Sequence, residues 1–251
     1  MRINQYIAKT FGISRRKADE KIKEEKVKVN GIVADFVEIK ANDVVEVLDK
    51  GKWVKVNNLS DSDGQMDAVL LIYKPVKVIT SHDDPEQRTT IFDLIPKEFS
   101  TLKSAGRLDY MSEGLLVLSA NGHLILNLTH PKFKTKKSYL VALDRPLSAS
   151  QIGTIGSGEM VVEEYKLNPI IITKLEDYVK FDYLQLERAY YWYTFELSEG
   201  RNREIRKIAE QFHLKVRRLI RVKHGQFEIS REIFEKGYLK TSVAKNALEN
   251  T

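Results

Sequence analysis

The 251-residue chain has no cysteine. Disulfides and thiolate metal sites are thereby excluded, and the composition fits a reducing cytoplasm. Histidine is scarce. None of His82, His123, His130, His213 and His224 belongs to an HExxH-type pair, which argues against a zinc hydrolase. Long apolar runs are missing too. "MRINQYIAKTFG" lacks the apolar core of a signal peptide, and no stretch approaches the length of a membrane span. A soluble cytoplasmic protein with no membrane association is expected. The Walker lysine pattern is also absent, so "GSGE" at Gly156 to Glu159 reads as a loop and not as a phosphate cradle.

What is present is a core and an uneven charge. Hydrophobic residues make up 42% of the chain, too many for a disordered segment. The formal net charge is only +6, but Gly200 to His224 concentrates Arg201, Arg203, Arg206, Lys207, Lys215, Arg217, Arg218, Arg221 and Lys223 against Glu204 and Glu210. Lys132, Lys134, Lys136 and Lys137 form a second cluster. One such run is usually a solvated face. Several arginine-rich runs interleaved with aromatics point to a phosphate backbone.

Hydrophobic spacing divides the chain. Ile3, Tyr6, Ile7 and Phe11 recur at helical intervals, with Gly12 as a stop. A second helix starts after Ser14 as N-cap and buries Ala18 and Ile22. "VKVNGIVA" is a hairpin signal around Asn30-Gly31, and "NDVVEVL" and "KWVKV" read as short strands. The predicted organisation is a module at 1–58, a flexible polar linker at 59–67 within "NNLSDSDGQMD", a larger domain at 68–240 and a mobile tail at 241–251. In the larger domain "AVLLIYKP" is a strand ending at Pro75. "LLVLSANGHLILNLTHP" is a buried strand, an Asn121-Gly122 turn and a short helix. "KSYLVALD" alternates as a strand, and residues 160–176 give two strands around Pro169. "YYWYTFELSEG" is a strand, "NREIRKIAEQF" a helix and "LKVRRLIRVKHGQFEI" strand again. The fold class is α+β with a mixed, largely antiparallel sheet.

The helix pair and hairpin, through "ISRRKAD" and "VKVNG", resemble the small RNA-binding module named after a small-subunit ribosomal protein, the S-four module. The resemblance implies that Arg15, Arg16 and Lys17, at the start of the second helix, contact structured RNA. Glu25 stands where that family usually has glycine. A small helix–turn–helix DNA module is the alternative, but "VKVNG" replaces a recognition-helix pattern.

"GRLDYMSEGLLVLSANG" poses the main question. A lone aspartate in a loop is most often a cap or turn residue, and spacing alone assigns Asp109 nothing more. Gly106 and Gly114 bracket the segment, however, and the aliphatic run anchors it in the core. The segment resembles the signature of the pseudouridine synthases that modify ribosomal RNA, in the group carrying an N-terminal S-four module. The carriers are Gly106, Arg107, Leu108, Asp109, Ser112, Gly114, Leu115 and Leu116. "LIYKP", "KKSYLV" and "EGRNREIRK" match the family's other motifs in order. Lys77 replaces the glycine usual after the proline, and "SANG" departs from Thr-Asn-Asp-Gly.

That resemblance implies an isomerisation in which uracil leaves its ribose, rotates and rejoins through carbon, with no cofactor and no metal. It makes Asp109 the nucleophile, Arg206 the cation that keeps it ionised, and Tyr139 the residue that stacks on the extruded base and helps remove the ring proton. Ile205 faces the core or the base. Arg107 replaces the base in its stack or holds flanking phosphates. Lys74, Arg201, Asn202, Arg203 and Arg218 complete the substrate- and RNA-binding candidates. The implied partner is ribosomal RNA or a ribosome assembly intermediate, bound by a monomer. Two rivals remain: a non-catalytic RNA-binding ribosome factor, and a glycoside hydrolase using Asp109 with Glu113.

Overall fold

A computed structural model describes residues 2–243 except 12, 14, 41, 50 and 57–66. The expected stop at Gly12, the cap at Ser14 and most of the expected linker lie outside the described residues. The chain divides into two compact units between Gln65 and Met66.

The first unit contains α1 (Ile3–Phe11), α2 (Arg15–Lys23) and four strands, β1 (Val27–Val29), β2 (Ile32–Val33), β3 (Val45–Asp49) and β4 (Lys52–Val56), in the antiparallel order β2-β1-β3-β4. Ile3, Ile7, Ala18, Ile22, Val27, Val45 and Val47 form its core. The Asn30-Gly31 turn forms as predicted: Val29 pairs Ile32, and both turn residues have positive φ (52° and 83°). Glu25 also lies in the left-handed region, at φ 57°. Its amide donates to Ile22 O and the Lys26 amide to Lys21 O, the paired bonds that close a helix C-terminus around a residue preferring to be glycine. Glu25→Gly is therefore expected to stabilise this unit by about 1 kcal/mol. Slower amide exchange at the end of α2 would show it, and unchanged exchange would count against the strain.

The second unit is built on one mixed sheet. Its strands are β5 (Asp67–Lys74), β6 (Lys103–Ser104), β7 (Glu113–Ser119), β8 (Lys137–Leu143), β9 (Val161–Val162), β10 (Tyr165–Lys166), β11 (Ile171–Lys174), β12 (Tyr191–Leu197), β13 (Val216–His224), β14 (Phe227–Glu228) and β15 (Tyr238–Val243). The main path runs β11-β12-β8-β13-β7-β5-β15, with β6 and β14 paired at the side and β9-β10 a separate hairpin. Every pairing on the main path is antiparallel except β13 with β7. The helices are α3 (Gly122–Thr129), α4 (Ala149–Gly156), α5 (Glu204–Gln211) and α6 (Arg231–Lys236). The α+β class with a mixed, largely antiparallel sheet is thus observed.

Both faces of the sheet are covered, which corrects the alternating reading of "KSYLVALD". All seven residues of β8 are buried. Leu140 and Ala142 join one apolar layer with Leu115, Val117, Leu124 and Trp192, while Tyr139, Val141 and Leu143 join the opposite layer with Phe195, Ile205 and Leu219. Period-2 alternation still operates, but between two cores and not between core and water. Three further expectations are corrected. Asn121-Gly122 is not a turn: Asn121 is the N-cap of α3, its side chain accepting from the His123 and Leu124 amides. Residues 160–176 hold three strands, because β9 and β10 form a hairpin across Glu163-Glu164 with Glu163 at φ 55° and no Asn-Gly signal to reveal it. The expected linker and tail boundaries also shift, since β5 begins at Asp67 and β15 continues to Val243, pairing Asp67.

Candidate active site

The row Phe195, Tyr139, Arg221, Gly114 crosses the centre of the sheet on four neighbouring strands. Above it lies a cavity of about 140 Å³, far more than the roughly 15 Å³ one water needs. Most of its wall comes from three parts of the unit, with Thr129 and Leu197 beside them. The loop from Gly106 to Ser112 brings Arg107, Leu108, Asp109 and Ser112. Strands β8 and β13 bring Lys137, Tyr139, Leu219, Arg221 and His224. The stretch leading into α5 brings Gly200, Arg201, Arg203, Glu204 and Ile205. Asp109, Tyr139, Arg107, Ile205, Arg201 and Arg203, widely separated in sequence, thus meet around one cavity.

The Asp109 loop is held through its backbone. Thr80 Oγ1 donates to Leu108 O (3.0 Å) and accepts from the Leu108 amide (3.2 Å). The Ser112 amide closes a turn on Asp109 O at 3.0 Å. Lys74 is a correction to the substrate-binding set: it is wholly buried, and its ammonium donates to Pro75 O (3.0 Å), Asp109 O (3.1 Å) and Ser112 O (2.6 Å). Burial lowers its pKa to about 8, opposed by the Asp109 charge. The residue therefore positions the loop and presents no charge to a ligand. Lys77, in the place of the family's glycine, adopts φ 62°, and its amide donates to Tyr110 O at 2.7 Å. The turn survives the substitution with backbone strain.

Arg206 reaches the same loop, but not by the expected route. Its Nη2 donates to Met111 O (2.7 Å) and its Nη1 to Val216 O (3.3 Å). No ion pair with the Asp109 carboxylate occurs among the described residues, and Arg206 does not line the cavity. Burial lowers the guanidinium's pKa, while the nearby Asp109 charge works the other way. Arg218 is drawn elsewhere: its Nε donates to Glu113 Oε1 (2.6 Å) and its Nη1 to Glu187 Oε2 (3.2 Å). Tyr73 also donates to Glu113. These partners occupy Glu113, which lines no part of the cavity, and that removes the carboxylate a glycosidase would need beside Asp109. Asn202 is exposed and outside the cavity wall. Arg15, Arg16 and Lys17 lie exposed in the first turn of α2, in the other unit.

Sequence reasoning assigned no site role to Glu204, Arg221 or His224, and took Lys137 only as part of a motif. Glu204 is buried, accepts the Arg201 amide at 3.0 Å, and is pushed up to about 7, chiefly by burial and also by neighbouring Glu199. The signal available for Arg221 was its place two residues after Leu219, on the face of β13 that Tyr139 shares across β8. No cluster of three or more His, Asp or Glu side chains suited to a metal ion occurs among the described residues, and no described helix is long and apolar enough to cross a membrane.

A basic cavity with a loop-borne carboxylate and a buried tyrosine, on a mixed sheet with both faces covered, defines an enzyme site for a polyanionic substrate. The fold is that of a pseudouridylate synthase crystal structure: the two superpose with TM-score 0.63 at 24% identity, over 99% of this chain and 98% of the other. A family model described as RNA pseudouridylate synthase matches residues 68–211. The chain belongs to that family and is an RNA pseudouridine synthase. It is 34% identical over 178 residues to an uncharacterized RNA pseudouridine synthase of Aquifex aeolicus, covering 70% of this chain and 69% of the relative. It is also 29% identical over 246 residues to ribosomal large subunit pseudouridine synthase B of Yersinia pestis, covering 94% of this chain and 71% of the relative.

Proposed function

We propose that this enzyme converts a uridine of ribosomal RNA to pseudouridine with Asp109 as nucleophile, acting as a monomer in the cytoplasm. The observation that carries the reading is the convergence of Asp109, Tyr139 and Ile205 on one basic cavity. The uridine swings out of its stack into that cavity. Asp109 bonds covalently to the nucleotide and the N1–C1′ bond breaks; the ring turns, a C5–C1′ bond forms, the Asp109 carboxylate is released, and the C5 proton is lost as N1 is protonated. Tyr139 stacks on the ring and assists the proton transfer. Arg206 holds the Asp109 loop through Met111 O and supplies positive charge nearby. Arg107, exposed at the rim, takes the vacated place in the stack or the flanking phosphates, and Arg201, Asn202 and Arg203 follow the RNA backbone. Ribosomal RNA as substrate is supported by the Yersinia pestis relative, whose name specifies the large ribosomal subunit. Single-nucleotide maps of pseudouridine in ribosomal RNA, from cells with and without the protein, test it. Loss of one or a few large-subunit sites is the expected result, and identical maps would overturn the substrate.

In the same reading, residues 1–58 are an S-four-like RNA-binding module, supported by the helix pair, the Asn30-Gly31 hairpin and the exposed Arg15, Arg16 and Lys17. Replacing all three with alanine is expected to flatten the salt dependence of RNA binding by about one unit of slope per lost phosphate contact. Turnover at saturating RNA stays close to that of the wild type. An unchanged slope in a titration across salt concentrations would remove the module from RNA binding.

A further inference from the structure

The floor of the cavity carries more buried positive charge than the fold uses. Lys137 and Arg221, which line it, are 9% and 2% exposed, and neither enters an ion pair among the described residues, whereas Lys74 is outside its lining. Lys74 is fully engaged with the loop carbonyls. Among the described residues Lys137 Nζ donates to Thr135 O, at 3.0 Å, and the Glu204 and Glu199 charges also act on it without an ion pair. Arg221 Nε donates to Leu115 O at 2.8 Å, and its Nη2 has no partner among the described residues. His224, the next lining residue on β13, is no counter-charge. Its Nε2 lies 2.8 Å from Leu128 O and therefore carries the proton, leaving Nδ1 a bare acceptor without a partner. Burial, with Arg221 beside it, drives its pKa down to about 3, so the ring is neutral. Lys137 is likewise lowered to about 8, first by burial and then by Arg221. A buried guanidinium nitrogen left without a partner is costly, and an arginine cannot shed its proton to escape the cost. Such an arrangement fits a site that receives negative charge at another stage of its cycle.

We propose that Arg221, with Lys137 beside it, is a catalytic cation that stabilises the negative charge developing on the carbonyl oxygens of the target uracil. The proposal rests on the uridine-to-pseudouridine reaction but not on which atom Asp109 attacks. If Asp109 bonds to C1′, the N1–C1′ bond breaks and its electron pair stays on the ring, spread over O2 and O4. If Asp109 bonds to C6, the C5=C6 pair moves onto C5 and O4. In the first case C5 then bonds to C1′ and expels the carboxylate; in the second C1′ passes from N1 to C5 and the carboxylate leaves C6. Until the carboxylate leaves, the ring holds one extra negative charge, and loss of the C5 proton with protonation of N1 then completes the product. No oxidant or co-reactant enters. A preorganised cation acts on such transient charge more strongly than on the neutral ground-state base. Arg221 sits across from Tyr139 in the strand register, and both line the cavity.

The test uses full-length enzyme and RNA from cells lacking the protein, grown with or without 5-fluorouracil so that the target carries uridine or 5-fluorouridine. Single-turnover loss of the target nucleoside at saturating RNA is read by chromatography of the digest; with fluorine on C5 there is no proton to lose, so the 5-fluorouridine reaction stops once the C5–C1′ bond has formed. Arg221→Gln is expected to lower the rate on uridine by about 10²- to 10³-fold, with Arg221→Lys and Lys137→Gln less affected and RNA affinity unchanged. Fluorine already withdraws charge from the ring, so the loss on 5-fluorouridine should be clearly smaller. Folded variants that keep near wild-type rates, or that lose the same factor on both RNAs, would overturn the proposal, the second outcome marking Arg221 as merely structural. Lys137→Gln, on the neighbouring strand, reads the same charge independently if Arg221→Gln does not fold. Activity surviving in Asp109→Asn would instead overturn the nucleophile and leave the Arg221 comparison readable.

Discussion

Asp109→Asn is expected to abolish uridine isomerisation, by on the order of 10⁴-fold or more, while RNA affinity stays near that of the wild type. The two side chains are almost the same shape, so the substitution removes a charge and a nucleophile without opening a cavity. The loop does not depend on the carboxylate for its conformation. Its anchors are backbone atoms: Lys74 Nζ on Asp109 O and Ser112 O, the Ser112 amide on Asp109 O, and Thr80 on Leu108. Binding draws on exposed arginines and lysines that the change leaves alone. Pseudouridine formation and filter-binding affinity, measured on the same RNA, separate the two quantities. Residual conversion above about one per cent of wild type would show that Asp109 is not the attacking group. Parallel loss of affinity and rate would mean that the loop is held by the carboxylate after all.

The clearest sequence signals were those with a local physical cause. Asn30-Gly31 specified its turn because both positions need positive φ, and Ile205, Ile208 and Ala209 specified the buried face of α5. Asp109, Tyr139 and Ile205 could be brought together only through the resemblance of their motifs, since spacing alone left Asp109 as a turn residue. The misses also have physical reasons. Asn121 can serve a turn or a helix cap, and only the following helix decides which. The β9-β10 hairpin turns through a glutamate in the left-handed region, for which composition gives no cue. Lys74 and Arg218 looked like ligands for RNA because a basic residue in a motif reads as a surface charge. Three carbonyls and two carboxylates, all but Pro75 O distant in sequence, turned them inward. Arg221 was hidden for the converse reason: within a basic run it resembled its exposed neighbour Lys223. Glu25 and Lys77 stand where the resembled motifs usually have glycine and adopt the left-handed backbone that glycine would favour.

Gly114→Ala should have the largest effect on stability of any single methyl group added to the site. Gly114 begins the aliphatic run of β7 at φ 109°, where side chains other than glycine are strained. A β-carbon there would lie 2.4 Å from Arg221 O and 2.6 Å from Arg221 N. Both are backbone atoms of β13, so no rotamer change relieves the clash. The strands would have to part at the sheet's one parallel pairing, where Arg221 registers with Gly114, between two filled apolar layers. The expected loss is above about 4 kcal/mol, or a fall of roughly 10 °C or more in melting temperature for a unit of this size. Gly153→Ala is the control. It sits inside α4 with nothing within 4 Å of an added β-carbon, and it should gain roughly 0.5–1 kcal/mol. Thermal melts of the two variants beside wild type decide the matter. A Gly114→Ala protein melting within a few degrees of wild type would mean that β7 and β13 can separate cheaply. The floor that carries Arg221 and the loop that carries Asp109 would then not be held in the fixed relation on which the proposed chemistry depends.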